Sequence, residues 1–427
     1  MSSLRGLLAD TRPLREPNFR RLFIASAVSV LGAQLTVVAV PAQIYGMTGS
    51  SAYVGLTGIF GLVPLLVFGL WGGSLADHMD RRRLLAITTW GLILASGALW
   101  VQALLGNTNV WLLLGIYAFQ QACFAVNHPA RGAIIPQLVS PGLLPAANAL
   151  NTTVFMAGAI AGPLIGGALI PVIGYSWLYL ADTLTFFVTL WAVVSLPAMP
   201  VDRDPDAPPS TPGLRSVWDG LVYLRGHPVL LMSFVLDLVA MVFGMPRALV
   251  PEMAHVDFGG PQEGGLAFAI LFAAMPVGAF LGGLFSGWVS RVHRHGLAVA
   301  IAIGCWGLAM VGMGLAVTAA DGALSWLLWL AALFFVLGGV ADVISASFRT
   351  AMMQTAATDA MRGRIQGVFL VVVAGGPRVA DVLHGLVSPV LGAGPTTALG
   401  GLLVVVLTAL LARPSTPFVR YRPPVIA

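Results

Sequence analysis

The sequence predicts an all-α integral membrane protein, with twelve transmembrane helices in two six-helix, pseudo-symmetric halves. Three observations predict it: an apolar composition, twelve apolar runs of spanning length, and arginines confined to alternate connections. Of the 427 residues, 58% are hydrophobic and 9% are charged, and the mean hydropathy is +0.89. A soluble domain carries roughly a quarter charged residues. This chain has too little polar surface to cover a water-facing globule, so its solvent is lipid.

A spanning helix needs roughly 20 apolar residues. Such runs fall near 22–46, 52–75, 84–105, 110–132, 144–172 and 176–196, then near 228–251, 265–289, 297–318, 324–347, 363–389 and 395–412. A polar, Pro-rich stretch, Pro197–Pro212, separates the two sets, and a short amphipathic piece, Arg215–Gly226, follows it. Amphipathic segments of this kind lie in the interface. The expected organisation is an N-terminal six-helix half over 1–196, a cytoplasmic central loop with a short amphipathic helix over 197–226, and a C-terminal half over 227–427.

Basic residues set orientation. They occupy the N-terminal tail, the connection after span two (Arg81, Arg82, Arg83), the end of span four (Arg131), the central loop, the connection after span eight, the connection after span ten (Arg349, Arg362, Arg364) and the C-terminal tail. With twelve spans, all of these share one side, and the opposite connections carry only acids. Only Arg247 and Arg378 fall within spans. The expectation is a multi-pass protein of the cell inner (plasma) membrane with both termini cytoplasmic. The same asymmetry accounts for the net charge of +5 without a nucleic-acid partner.

Other chemistries find no support. Cys123 and Cys305 sit inside apolar runs and form no CxxC, so no disulfide framework or metal site is expected. The N-terminus lacks a short apolar core with a cleavage site, so span one stays in the membrane. There is no GxxxxGK[ST] loop, hence no ATP motor, and nothing reads as an enzyme.

The halves repeat. Gly73-Ser74-Leu75-Ala76-Asp77 closes span two as Gly287-Trp288-Val289-Ser290-Arg291 closes span eight, each before a basic connection. Arg131 precedes Asn148 by 17 residues, as Arg349 precedes Gln366. Paired six-helix halves are how many secondary transporters build a midplane site with alternating access. A channel would need no such two-fold repeat.

These residues resemble the major facilitator superfamily. Gly73-Ser-Leu-Ala-Asp77-His-Met-Asp-Arg81-Arg82-Arg83 is similar to its signature between helices two and three, with Asp80 where glycine is usual. The resemblance implies a cytoplasmic gate formed by Gly73, Asp77, Arg81, Arg82 and Arg83, with Arg131 on span four as a further latch. In that gate Asp77 would face a helix N-terminus while the arginines pair across the loop. Gly158-Ala-Ile-Ala-Gly162-Pro163-Leu-Ile-Gly166-Gly167 resembles the antiporter signature, though Ala149 replaces an earlier glycine. Small residues there would let helices approach closely. The stretches at Pro41, Arg247-Ala-Leu-Val-Pro251 and Met361-Arg362-Gly363-Arg364 are similar to the branch of enterobactin (siderophore) exporters and drug:proton antiporters.

The resemblance implies efflux of a small amphipathic molecule, a siderophore or a drug, by a monomer in contact with membrane lipids. A proton gradient would be the energy source, and no cofactor is expected. A nutrient importer, or a sensor on the same scaffold, remains the alternative. Charges within spans are costly and start as functional candidates. The proton-coupling candidates are Asp381, Arg378, Asp237, Asp342 and Arg247. Asp381 leads, because Arg378 shares its helical face and Gly375-Gly376-Pro377 can open the backbone beside it. Asp237 shows no partner on its own helix, Asp342 is within reach of Arg349, and Asp182 reads as facing water near the outer end of span six. Gln34 stands in span one, where many family exporters carry an acid.

Overall fold

The computed structural model describes residues 10–198, 214–356 and 359–422; side chains at 70–78, 214–217, 356, 359–367 and 370 lie outside that description. The helices are α1 Pro17–Thr48, α2 Ser51–His78, α3 Arg81–Leu104 and α4 Val110–Leu138. Leu144–Val194 is one run of helix broken at Gly174, whose φ of 77° only glycine adopts readily, which yields α5 (144–173) and α6 (175–194). Next come α7 Leu214–Arg225, α8 Pro228–Gly244, α9 Leu266–Leu284, α10 His295–Thr318, α11 Trp326–Ala356, α12 Asp359–Leu391 and α13 Ala393–Leu411. Among the described residues, eleven runs are long and apolar enough to span a membrane, and the break at Gly174 divides the longest of them into two helices.

Local chemistry sets the ends. Asp80 caps α3 by accepting from the Arg83 amide at 3.0 Å. Asn109 caps α4 through the amides of Trp111 and Leu112. Each side chain satisfies donors that an α-helix leaves open at its start. Asp80, the departure from the family's loop signature, is therefore a helix cap.

Three span boundaries differ from the expected ones. The α-helix of the seventh span stops at Gly244, because Pro246 disfavours helical backbone at Met245, and the span runs on through shorter helical turns to Asp257. Arg247 then lies on the 3-10 turn Arg247–Leu249 rather than inside a helix. The eighth stops at Leu284 and passes into a 3-10 turn, Ser286–Arg291. The tenth runs on to Ala356 and carries Arg349 inside the helix instead of in a connection. The helix expected to open at Gly375-Gly376-Pro377 continues through these residues within α12.

The chain divides into two compact units: one holds Met1–Val40, Val63–Gly166 and Val172–Pro212, the other Pro41–Leu62, Gly167–Pro171 and Gly213–Ala427. The first has a core of Phe19, Leu22, Leu85, Ile134, Ala147 and Val193. In the second, α10 packs on α11 and α13, and α8 on α12. Large apolar side chains such as Leu94, Trp111, Leu184, Leu308 and Val390 face outward, as lipid requires.

Candidate functional site

Two acids of the second unit meet on one arginine. Arg349 of α11 is 6% exposed and forms an ion pair with Asp237 of α8, which is 1% exposed. Its other terminal nitrogen lies 4.0 Å from Asp342, two turns earlier on α11. Two carboxylates therefore share one guanidinium, a formal charge of −1 among largely buried side chains. A cavity of about 10 Å³ adjoins Arg349, lined by Leu230, Ser233, Phe234, Met353 and Phe369. That is close to the space one water occupies. Asp237, read as lacking a partner on its own helix, finds one on another helix.

Asp381 sits elsewhere in the same unit, 2% exposed, and its Oδ1 accepts no hydrogen bond among the described residues. Arg378 reaches toward α2. Its guanidinium lies against Gly61, with Nη1 3.4 Å from the Thr57 carbonyl. Arg247 stands over the Phe272 ring, 5.8 Å from the centroid, a cation–π distance. One turn past Asp381, His384 Nε2 lies 3.0 Å from the Phe243 carbonyl, an acceptor left open where α8 ends before Pro246.

In the first unit the gate arginines take main-chain acceptors. Arg81 Nη1 donates to the Ala133 carbonyl at 2.9 Å and Arg82 Nη2 to the Val194 carbonyl at 2.6 Å. These two bonds tie the start of α3 to α4 and α6. Arg83 is exposed. Gly73 and Asp77, the other gate residues, lie outside the described side chains. Arg131 lies within α4 and donates to Ser26 Oγ of α1 at 3.3 Å. The repeat thus carries an arginine on spans four and ten, and the second is met by acids where the first is met by a hydroxyl.

Asp182 does not face water. It is fully buried, and its Oδ2 accepts from Thr36 of α1 at 2.6 Å and Ser96 of α3 at 2.7 Å. Gln120 of α4 donates in turn to Ser96. Asp182→Leu leaves both hydroxyls without their acceptor, a loss of about 1–3 kcal/mol for each buried group. Asp182→Asn keeps an acceptor oxygen. Thermal melting of the detergent-solubilised protein should fall by several degrees for leucine and little for asparagine. Equal melting of the two would mean that the network carries no stability.

The model of the transmembrane secretion effector family matches residues 9–420. The chain belongs to this family of the major facilitator superfamily. It is a multi-pass membrane transporter, not an enzyme. It is 29% identical over 419 residues to the enterobactin exporter EntS of Escherichia coli K12, covering 96% of this chain and 94% of that one. The same identity holds over 418 residues with EntS of Shigella boydii serotype 18, covering 94% of each. The fold matches the crystal structure of the nucleoside transporter NupG with a TM-score of 0.73, at 13% identity and over 93% of this chain and 97% of that one.

In this major facilitator protein the antiporter-like glycines do bring helices together. A methyl group on Gly158 would overlap Val30, and one on Gly162 would overlap Gln34, both of α1; Gly166 lies against Leu35. Gly167 belongs to the second unit and packs on Ala269 of α9. Gly162→Val should therefore push α5 off α1, an overpacking cost of about 1–3 kcal/mol, and lower transport severalfold at unchanged membrane levels. Unchanged transport by a well-expressed variant would show that this contact does not matter.

A second set of glycines was not singled out in the sequence. Gly55 and Gly58 of α2 lie against the backbone carbonyls of Asp381 and Arg378 on α12, and Gly61 lies under the Arg378 guanidinium. Their spacing of three residues was the available signal. Beside them, Ser51 of α2 and Ser388 of α12 both donate to Glu252, the latter at 2.7 Å. The transporter's second unit thus clamps the acidic-side ends of α2 and α12 together.

Proposed function

We propose that this transporter is a proton-coupled exporter of a small amphipathic molecule, a siderophore or a drug, working by alternating access as a monomer of the inner membrane with both termini cytoplasmic. The observation that carries the reading is the two carboxylates on one buried guanidinium. An excess negative charge in hydrocarbon is expensive, and one proton neutralises it. With Arg349 on Asp237, Asp342 takes the proton; when the helices move and Arg349 changes partner, the proton is released. The coupling site is thus Asp237–Arg349–Asp342, with Asp381, Arg378 and Arg247 as a second charge group beside the outer clamp. On the arginine-bearing side, Gly73, Asp77, Arg81, Arg82, Arg83 and Arg131 form the opposing gate. Export of a siderophore-like molecule follows from the likeness to the enterobactin exporter over nearly the whole chain.

The test is transport by purified protein in proteoliposomes. Liposomes with an acidic interior should accumulate enterobactin or a cationic dye, with protons leaving in exchange, and a protonophore should abolish accumulation. Transport that ignores the gradient would refute proton coupling. Sidedness is tested separately: cysteines beside Arg82 or Arg420 should resist an impermeant thiol reagent in intact cells, and cysteines at Asn107 or Asp321 should react.

A further inference from the structure

We propose that the groove between α10 and α11 holds an acyl chain of an anionic phospholipid, with its headgroup at Arg294. The groove is a cavity of about 710 Å³, walled by Ile301, Cys305 and Leu308 of α10 and by Phe334, Leu337 and Ile344 of α11. Behind Cys305, Leu308 and Leu337 the two helices are in close contact. The Phe334 ring lies against Gly312, and Trp306 and Met310 lie against Gly338. From that contact the groove runs to Arg294 and Trp288, which line its other end.

Its length fits one leaflet. Arg294 and Leu308 are fourteen residues apart, about 21 Å of helix, against roughly 20–22 Å for half of a ~40–45 Å bilayer including its headgroup region. Its chemistry changes once, at the interface. Arg294 and Arg291 are exposed there, Trp288 lies at the level where membrane aromatics collect, and 284–298 contains no acid. An apolar slot of leaflet depth that ends in arginines with no ion pair among the described residues suits an acyl chain under a phosphate carrying net negative charge. A second copy of the chain fits less well, because a two-fold groove-to-groove contact would bring like-charged rims together.

The experiment offers the full-length protein in detergent an equimolar mixture of phosphatidylglycerol and phosphatidylcholine with identical chains, and counts retained lipid by native mass spectrometry. The expected result is preferential retention of one phosphatidylglycerol. Arg294→Ala should lower that retention about fivefold, the effect of one arginine at an anionic surface. Cys305→Trp, which fills the slot, should abolish it while leaving the monomer peak intact. Equal retention of both lipids, or phosphatidylglycerol retention unchanged in both variants, would overturn the proposal. So would oxidative cross-linking of two chains through Cys305 in a Cys123→Ser background, which would assign the groove to a second copy.

Discussion

Asp237→Asn should abolish uphill transport while leaving downhill exchange of substrate nearly intact. In the parent, Arg349 contacts Asp237 and has Asp342 4.0 Å from its other nitrogen, so the excess negative charge favours uptake of one proton. With Asp237 neutral, Arg349 has only Asp342, and protonating that acid leaves a bare guanidinium at hydrocarbon depth. Such a charge costs roughly 2.5–3.5 kcal/mol on insertion scales, about a hundredfold in population. The variant should therefore hold Arg349 and Asp342 as a fixed pair and fail to exchange the proton. Arg349→Gln should fail as well, and for the opposite reason: two buried acids without a cation both stay protonated. Initial rates of gradient-driven accumulation in proteoliposomes should fall at least about tenfold in each variant, alongside a control of substrate counterflow without a gradient. Parental accumulation by Asp237→Asn would remove this group from the coupling machinery.

Gly58→Val should lower transport by a similar factor through packing alone. The Arg378 carbonyl occupies the space a side chain at Gly58 would need, and neither backbone can yield without parting α2 from α12. Overpacking of this kind costs about 1–3 kcal/mol, enough to disfavour the clamped arrangement by fivefold or more. Because Ser51 and Ser388 both donate to Glu252 in the clamp, parting the helices also exposes that cluster. A cysteine at Ser51, buried in the parent, should become reactive to an impermeant maleimide from outside in the Gly58→Val background. Gly115→Ala, with nothing nearby to meet, serves as the neutral control. Protection of the Ser51 cysteine despite Gly58→Val would mean the clamp tolerates the side chain.

Membrane insertion imposes its rules locally, and a local rule can be read from residue order. Runs of spanning length, one-sided arginines and the repeated 17-residue spacing from Arg131 and Arg349 were enough for twelve helices, two halves and the superfamily. The antiporter-like glycines were legible for the same reason, since close helix approach demands small residues wherever the partner lies. Partnerships across helices were not legible. Arg349 looked like a connection residue because an apolar run does not reveal that its helix continues two turns past the run. Asp237 lacked a partner in sequence because its cation lies more than a hundred residues away, and Asp182 was assigned to water because hydroxyls on α1 and α3 leave no pattern. Arg378 and Asp381 stand one turn apart, yet the guanidinium turns to α2, where Gly61 makes room. Sequence alone determined which segments enter the membrane and in what order, because each backbone must satisfy its own hydrogen bonds in lipid. Tertiary structure alone decided which charges neutralise one another, because that depends on how helices distant in the chain pack side by side.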